Sequence, residues 1–515
     1  MPRSTSVWLE TAHPEKFPPL KKNARADVCV IGAGIAGLST AYLLAREGRS
    51  VIVIDAGLPG GGETGVTTAH LSNEIDDGYV EITRLHGVDG ARQACTSHRA
   101  AIERFEAICH LEELDCDFRR VDGFLFLAPE HDRKVLDEEY DAARGAGVSV
   151  EQLERARVSG FDSGPCLRFP RQGQMHPLRY LNGLADGLLR LGGRICGETK
   201  AVDITGGKRA SVKLENGFMV TAGSIVVATN APFNDRFAIH TKQAPYHTYV
   251  VAARVPPDAI THALYWDTAD PYHYVRLQRV TNDELKGDNP DPVDLLIVGG
   301  EDHKAGQASD ADARFTRLES WMRGRFPAAG ELEFRWSGQV METQDGLAFI
   351  GRNPMDDDNV YVATGDSGMG ITHGTIAGIL LTDLIAGRRN DWMDLYDPSR
   401  IRTGAATEFL KENLNVAAQY TTWVTPGEVE SVDEIVPNSG AVVRDGVIKV
   451  AVFRDEAGEL HRRSAVCTHL GCIVAWNPSA STWDCPCHGS RFDPYGKVLN
   501  GPAFEDLPTI GGRED

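Results

Sequence analysis

The sequence predicts an α/β unit built on a parallel sheet, interrupted by an α+β insert and followed by a small all-β unit. Three observations carry this. Residues 27–37 read Asp-Val-Cys-Val-Ile-Gly32-Ala-Gly34-Ile-Ala-Gly37, an apolar strand entering a Gly-x-Gly-x-x-Gly turn, and Leu38–Arg46 continues as a helix. Helical and strand-like stretches then alternate up to a second glycine-rich run at 360–374. Near the C-terminus stand Cys467-Thr-His469-Leu-Gly-Cys472 and Cys485-Pro-Cys487-His488-Gly-Ser490, among short strand-like segments.

The first turn is the phosphate turn of a dinucleotide fold. Its glycines allow a tight turn, close approach of a pyrophosphate and close helix–strand packing, and the helix N-terminus faces the anion. A second apolar run, Val51–Ile54, ends in Asp55, placed to accept from a ribose hydroxyl. The fingerprint alone fits NAD or FAD. Gly60, Gly62 and Gly65 repeat the pattern, but no strand leads into them and they read as a loop. Helical periodicity marks Ala101–Leu114, Arg133–Arg144 and Leu178–Leu191, and alternation marks strands at Tyr246–Val255 and Tyr272–Val280. Leu395–Arg402 ends the first unit, and a helix at Glu408–Gln419 leads to a linker at Thr421–Gly427. Val442–Arg444, Val447–Phe453 and a hairpin at Asp455–Gly458 open the β unit. The expected domains are 1–420, with nucleotide-binding parts at 25–80, 175–235 and 340–400 and an insert at 81–174 and 236–339, then 428–515.

At 515 residues the chain suits two or three domains, and 42% hydrophobic content is that of an ordinary globular protein. No run reaches the roughly 18–20 apolar residues of a membrane helix, and Met1–Lys22 lacks a signal peptide's apolar core, so a cytoplasmic location is expected. The net charge of −20 argues against nucleic acid and anionic membranes as partners. Cysteines 29, 95, 109, 116, 166 and 196 show no metal spacing and read as buried thiols.

The two Cys-His loops offer two thiolates and two imidazoles, the mixed ligation of a Rieske 2Fe–2S centre, whose potential spans roughly −150 to +300 mV against about −400 mV for plant-type ferredoxins. A zinc site is the alternative, but it leaves two cysteines unexplained. The loops resemble those of cytochrome bc-type Rieske proteins. That resemblance implies that Cys467 and Cys485 bind one iron and His469 and His488 the other. It also implies that Cys472 and Cys487 form a disulfide and that the Ser490 hydroxyl donates to a cluster sulfide. Such a disulfide is unusual for a cytoplasmic protein.

Other stretches resemble flavoproteins of the D-amino-acid oxidase and glycine oxidase superfamily. These are Glu63–Leu71, like the loop covering the flavin ring, Ser224–Ala231, beside the adenine half, and Asp345–Gly351 with Val360–Gly374, the closing motif. The resemblance selects FAD. It implies an α/β FAD-binding dinucleotide fold with an inserted α+β substrate subdomain, plus a small all-β Rieske domain. It puts FAD contacts at Gly32, Gly34, Ile35, Ala36, Gly37, Asp55, Ala56, Thr67, Thr68, Ala69, His70, Val202, Ala228, Thr229, Gly368, Met369, Gly370, Ile371 and Thr372. Relatives that attach FAD covalently use a His near the position of Thr67, so non-covalent FAD is expected. The whole chain resembles bacterial FAD-dependent oxidoreductases with a C-terminal Rieske domain, through Trp336-Ser-Gly-Gln, Asp345-Gly and Asp397-Pro-Ser-Arg400.

Glycine-oxidase-like enzymes clamp a substrate carboxylate with arginines where this chain has Val340 and Gly368. A carboxylate needs such a fork or equivalent donors, so an amine-like substrate is expected, oxidised at a C–N bond, with electrons leaving through the cluster to an external acceptor or redox protein. Arg276 could substitute, or serve as a structural surface residue. Candidate catalytic groups are His70 and Tyr246, with His247 and His373 behind them. An electron-transfer component or redox sensor without its own amine substrate is the alternative function. A flow from pyridine nucleotide through FAD to a separate oxygenase would need a second nucleotide fold, which the sequence does not show.

One departure from the respiratory Rieske loops has a measurable effect. Where they carry Tyr, two residues past Ser490, this chain has Phe492. Losing one hydrogen bond to the reduced cluster lowers the potential. Phe492→Tyr is therefore expected to raise it by on the order of tens of millivolts in a redox titration; no rise would contradict this.

Overall fold

The computed structural model describes residues 2–234, 239–281, 283–285, 291–354 and 356–510. The expected domain limits at 1, 235, 236 and 515 fall outside these residues. Four parallel strands form the middle of the first sheet in the order Val360–Thr364, Met219–Val227, Ala24–Ile31, Val51–Ile54, and Arg194–Cys196 extends them in parallel. Val51–Ile54 is buried throughout, which is why it reads as an unbroken apolar run. The register pairs Ile31 with Val227 and with Ile54. Gly32, Ala228 and Asp55 therefore leave the sheet side by side at its carboxyl edge, where ligands bind in open α/β sheets. Helices Ile35–Arg46 and Gly370–Ile385 pack together there. A Cβ at Gly374 would lie 2.7 Å from Ile35 Cγ2, and one at Gly378 2.9 Å from Ser39 Cβ.

The insert is one nine-stranded mixed sheet, ordered Leu332–Thr343, Gln243–Val255, Pro292–Lys304, His273–Thr281, Leu264–Asp267, Arg119–Phe126, Cys166–Gln174, His70–Leu71, with Glu151–Leu153 beside Cys166–Gln174. Alternation divides its faces. Tyr249, Val251, Leu296 and Val298 pack with Phe315 and Leu318 of helix Ala311–Arg325, whereas Val250, Ala252, Leu295 and Ile297 join the core shared with the first unit. The expected helix at 101–114 is the end of a longer element, Gly78–Leu111, broken at Gly87 (φ 71°). That glycine and the polar first turns hid its beginning.

The C-terminal unit has a three-stranded sheet (Ser439–Asp445, Ile448–Arg454, Leu460–Ser464) and a four-stranded one (Ala475–Asn477, Thr482–Asp484, Arg491–Phe492, Val498–Asn500). Its core is centred on fully buried Trp483 and Phe492 and includes the cysteines of both Cys-His loops. The stretch read as a linker packs on this unit, with Trp423 Nε1 donating to Gly471 O (3.0 Å), and just before it Tyr420 Oη donates to Leu470 O (2.7 Å). Among the described residues no helix is long and apolar enough to cross a membrane.

Candidate functional site

At the phosphate turn the geometry explains the residue types. Gly32 has φ 104°, and a Cβ there would stand 2.3 Å from Ala228 O; a Cβ at Gly37 would stand 1.9 Å from Gly32 O. Asp55 accepts from Ala33 N (2.7 Å) and Gly57 N (2.8 Å), which leaves each oxygen a lone pair for a ribose hydroxyl. Gly34 caps the helix without a side-chain hydrogen bond, as an anion site requires. Thr64 Oγ1 accepts from Ile35 N (3.2 Å), so the loop dismissed as a false glycine match touches the true one.

The ring-covering loop is held by its carbonyls. Trp336 Nε1 donates to Val66 O (2.7 Å), Trp8 Nε1 to Thr67 O (2.6 Å) and Arg276 Nη1 to Ala69 O (2.9 Å). Ala69 has φ 60° and is fully buried. Arg276 also donates to Met175 O and to Gln278 Oε1 and lies over the Trp8 ring. It is 0% exposed, which overturns the surface reading; its Nη1 is taken by Ala69 O and Met175 O and its Nη2 by Gln278 Oε1, so the guanidinium fork is not open to a substrate carboxylate.

His70 sits between Trp266 and Tyr274, with ring centroids 5.8 Å from each. Its Nε2 lies 3.3 Å from Val275 O and its Nδ1 3.1 Å from Thr68 Oγ1. A carbonyl only accepts, so Nε2 carries the proton and Nδ1 accepts from the Thr68 hydroxyl. Burial, then Arg276, push its pKa down to about 3. The other candidates do not join it. Tyr246 faces helix Ala406–Gln419, with Lys304 Nζ 5.9 Å above its ring. Burial and then Glu412 raise its phenol. His247 points away from the substrate side to meet Asp484 of the C-terminal unit. His373 is buried against His98, its Nδ1 donating to Asp366 O (2.8 Å).

The closing motif enters helix Gly370–Ile385 through Ser367 and Gly368, both at positive φ, with no side-chain cap at Met369. Thr372 Oγ1 donates to Ser72 O, and Ile371 is buried. Thr229 Oγ1 donates to Ala231 O (2.9 Å), and Val202 lies at a register shift on a strand of the first sheet. Arg400 grips Asp345 with two 2.7 Å bonds.

Four carboxylates gather beside this turn, Asp366 from the closing motif itself and three, Asp76, Asp302 and Glu342, from outside any motif. A Cβ at Gly368 would lie 2.5 Å from Asp76 Oδ2. Asp76 accepts from the Tyr272 phenol, Asp302 from Thr248, and the Thr248 hydroxyl contacts Tyr274 Oη. Burial raises Asp76, and Asp77 adds to it; burial pushes Asp302 and Asp366 up to about 6. Glu342 is raised by burial and then by Asp76, Asp77, Asp366 and Asp302. The Oδ1 atoms of Asp302 and Asp366 are buried without a hydrogen-bond partner.

In the C-terminal unit the thiols of Cys467 and Cys485 are in hydrogen-bond contact, and the rings of His469 and His488 lie 5.0 Å apart. His488 Nδ1 is buried with no hydrogen-bond partner, as a waiting metal ligand would be. Cys472 and Cys487 are disulfide-bonded, 15 residues apart and buried, a closure worth about 3 kcal/mol. Ser490 Oγ donates toward Cys467 and accepts from Ala503 N (3.0 Å). Two thiols, two imidazoles and a locked pair of loops fit a 2Fe–2S cluster ligated by Cys467, Cys485, His469 and His488.

This fold with these two sites defines a flavin-dependent oxidoreductase carrying its own iron–sulfur domain. The FAD dependent oxidoreductase (DAO) family matches residues 27–384 and the Rieske [2Fe-2S] domain residues 422–511. The chain belongs to this FAD-dependent family, with a C-terminal Rieske domain, and its cofactors are FAD and a 2Fe–2S cluster. It is 30% identical over 509 residues to YhfW of Bacillus subtilis (strain 168), named as a Rieske 2Fe-2S iron-sulfur protein, covering 98% of this chain and 97% of that one. It is 26% identical over 387 residues to gamma-glutamylputrescine oxidoreductase of Escherichia coli (strain K12), covering 72% and 86%. The fold of glycine oxidase from Geobacillus kaustophilus superposes with a TM-score of 0.57 at 17% identity, covering 73% of this chain and 99% of that one.

His70 is therefore expected to position the ring loop and stay neutral. The pH dependence of the bound flavin's visible spectrum between about pH 5 and 8 should be the same in wild type and His70→Asn. A wild-type step lost in the variant would contradict the neutral assignment.

Proposed function

We propose that the enzyme oxidises the C–N bond of a small amine and passes the electrons through its own Rieske cluster to an external one-electron acceptor. The observation that carries this reading is the replacement of carboxylate-binding cations by carboxylates. Val340 and Gly368 stand where arginines are expected, Arg276 is committed to the ring loop, and Asp76, Asp302, Glu342 and Asp366 gather beside the closing turn. Such a site repels a substrate carboxylate and attracts an ammonium ion.

FAD supplies two-electron oxidation of the substrate, and the cluster supplies one-electron transfer. The protein's own contribution is positional. Asp302 and Asp366, pushed up to about 6, are ionised at neutral pH and can hold a cation. Trp8, Trp336 and Arg276 fix the loop that covers the ring. Tyr274, against His70, sets an aromatic ring beside Asp302 and Asp76, and a ring face adds attraction for an ammonium group. The name of the E. coli relative, gamma-glutamylputrescine oxidoreductase, gives that protein an amine substrate.

The test is an anaerobic screen of amines, amino acids and alcohols, following flavin bleaching and the cluster's EPR signal together. Amines are expected to bleach the flavin, with cluster reduction following. The apparent KM for the amine should fall as pH rises from about 6 to 8, because the raised carboxylates ionise and bind the cation more tightly. Bleaching by α-amino acids alone, or a KM that rises over this range, would contradict the reading.

A further inference from the structure

We propose that His240 is the positioning residue through which the Rieske domain receives electrons, and that the domain receives them while docked on the flavin domain. His240 opens the turn His240–Lys242 of the flavin domain and is 2% exposed. Its ring lies 5.1 Å from that of His469 and 6.1 Å from that of His488, edge-on to both. Both imidazole ligands of the cluster thus meet one ring of the other domain.

The same turn runs into the flavin site. Gln243 follows it, and its Oε1 accepts from the Thr364 hydroxyl at the start of the closing motif (3.3 Å). A Cβ at Gly365 would stand 3.0 Å from that oxygen. Four residues, His240 to Gln243, therefore span the space between the flavin's closing turn and the cluster's histidines. On the other side the seat is equally close. Gln339 Nε2 donates to Gly489 O (2.9 Å), Asn500 Nδ2 donates to Gln339 Oε1 (2.7 Å), and a Cβ at Gly489, beside His488, would stand 2.7 Å from Pro245 Cβ. Asn413 of helix Ala406–Gln419 donates to Thr241 O (3.1 Å) and holds the turn from outside. Contacts this close hold the histidine edge of the cluster loops against the flavin domain.

In the proposed step reduced FAD loses one electron and the cluster gains it. The second electron follows after an external one-electron acceptor has reoxidised the cluster. The direction of flow rests on the function proposed above; the role of His240 does not rest on the substrate, and the test needs none.

The full-length enzyme, loaded with FAD and cluster, is photoreduced at the flavin with EDTA as donor. Cluster reduction is followed by freeze-quench EPR in wild type, His240→Ala and His240→Phe. In His240→Ala the cluster should be reduced at least about tenfold more slowly, with flavin photoreduction unchanged and with altered nitrogen hyperfine couplings of the two ligand histidines. His240→Phe restores an aromatic ring and should recover most of the rate. An unchanged rate and unchanged couplings in His240→Ala would overturn the proposal, as would equal slowing in His240→Phe. If His240→Ala does not load its cluster, Gln339→Ala loosens the seat from the opposite side. A loaded Gln339→Ala enzyme is expected to transfer more slowly, and wild-type transfer in it overturns docked delivery. A wrong substrate class would leave all these readouts in place and fail only in the amine screen.

Discussion

A chain of paired polar side chains crosses the boundary between the two domains, and the arrangement of both redox sites depends on it. His247 of the flavin domain bonds Asp484 at 2.7 Å, with both side chains 1% exposed. Arg491 lies 3.6 Å from Asp484 and 2.9 Å from Glu63 of the flavin-side loop. Asp484 immediately precedes the ligand Cys485, and Glu63 immediately precedes Thr64, which touches the phosphate turn. Asp484, Arg491 and Glu63 alternate in sign, and the His247 ring closes the chain with a hydrogen bond to Asp484. Buried ion pairs contribute little net stability, but leaving one member unpaired costs about 3–5 kcal/mol. The domains therefore lose more by slipping than by holding one register, and that fixes cluster loop against flavin loop.

The lock also explains how the flavin domain spends its polar groups. Glu63 uses its second oxygen to accept from Gln339 N (2.7 Å), and the Gln339 side chain reaches across to Gly489 and Asn500. Strand Leu332–Thr343 thus carries Trp336 toward the ring loop, Gln339 toward the cluster loop and Glu342 into the acidic group. One strand takes part in the flavin-side loop, the domain seat and the acidic group. The cation that relatives are expected to place at Val340 would sit within this same stretch. Its absence leaves the carboxylates as the dominant charge beside the closing turn.

Local signals carried the fold and the cluster ligands into the sequence. The phosphate turn was legible because its glycines are required by contacts a few ångström long, 2.3 Å at Gly32 and 1.9 Å at Gly37. The candidate ligands stand out because two short loops hold all four of them, with the disulfide cysteines between. The acidic group does not, because Asp76, Asp302, Glu342 and Asp366 come from four distant segments that only the sheet and closing turn bring together. His247 misled because an alternating strand announces two faces without saying which one meets the substrate; the bulge between His247 and Tyr249 complicates the pattern further. Arg276 was misjudged because nothing nearby in sequence announces its partners, the carbonyls of Ala69 and Met175. His240 and Trp8 carry no sequence signal, since a lone ring outside any motif is indistinguishable from packing until its neighbour is known.

The account's central claim is that electrons cross a fixed seat, with no swing of the Rieske domain. Flexible Gly-Ser insertions of four and eight residues within 424–427 test it most directly, by flash reduction of the flavin and time-resolved absorbance of the cluster. A domain held by the paired side chains transfers at the wild-type rate whatever the length of its tether, and independently of protein concentration. A transfer rate that changes steadily with tether length would show a domain that moves to react, and would contradict the account.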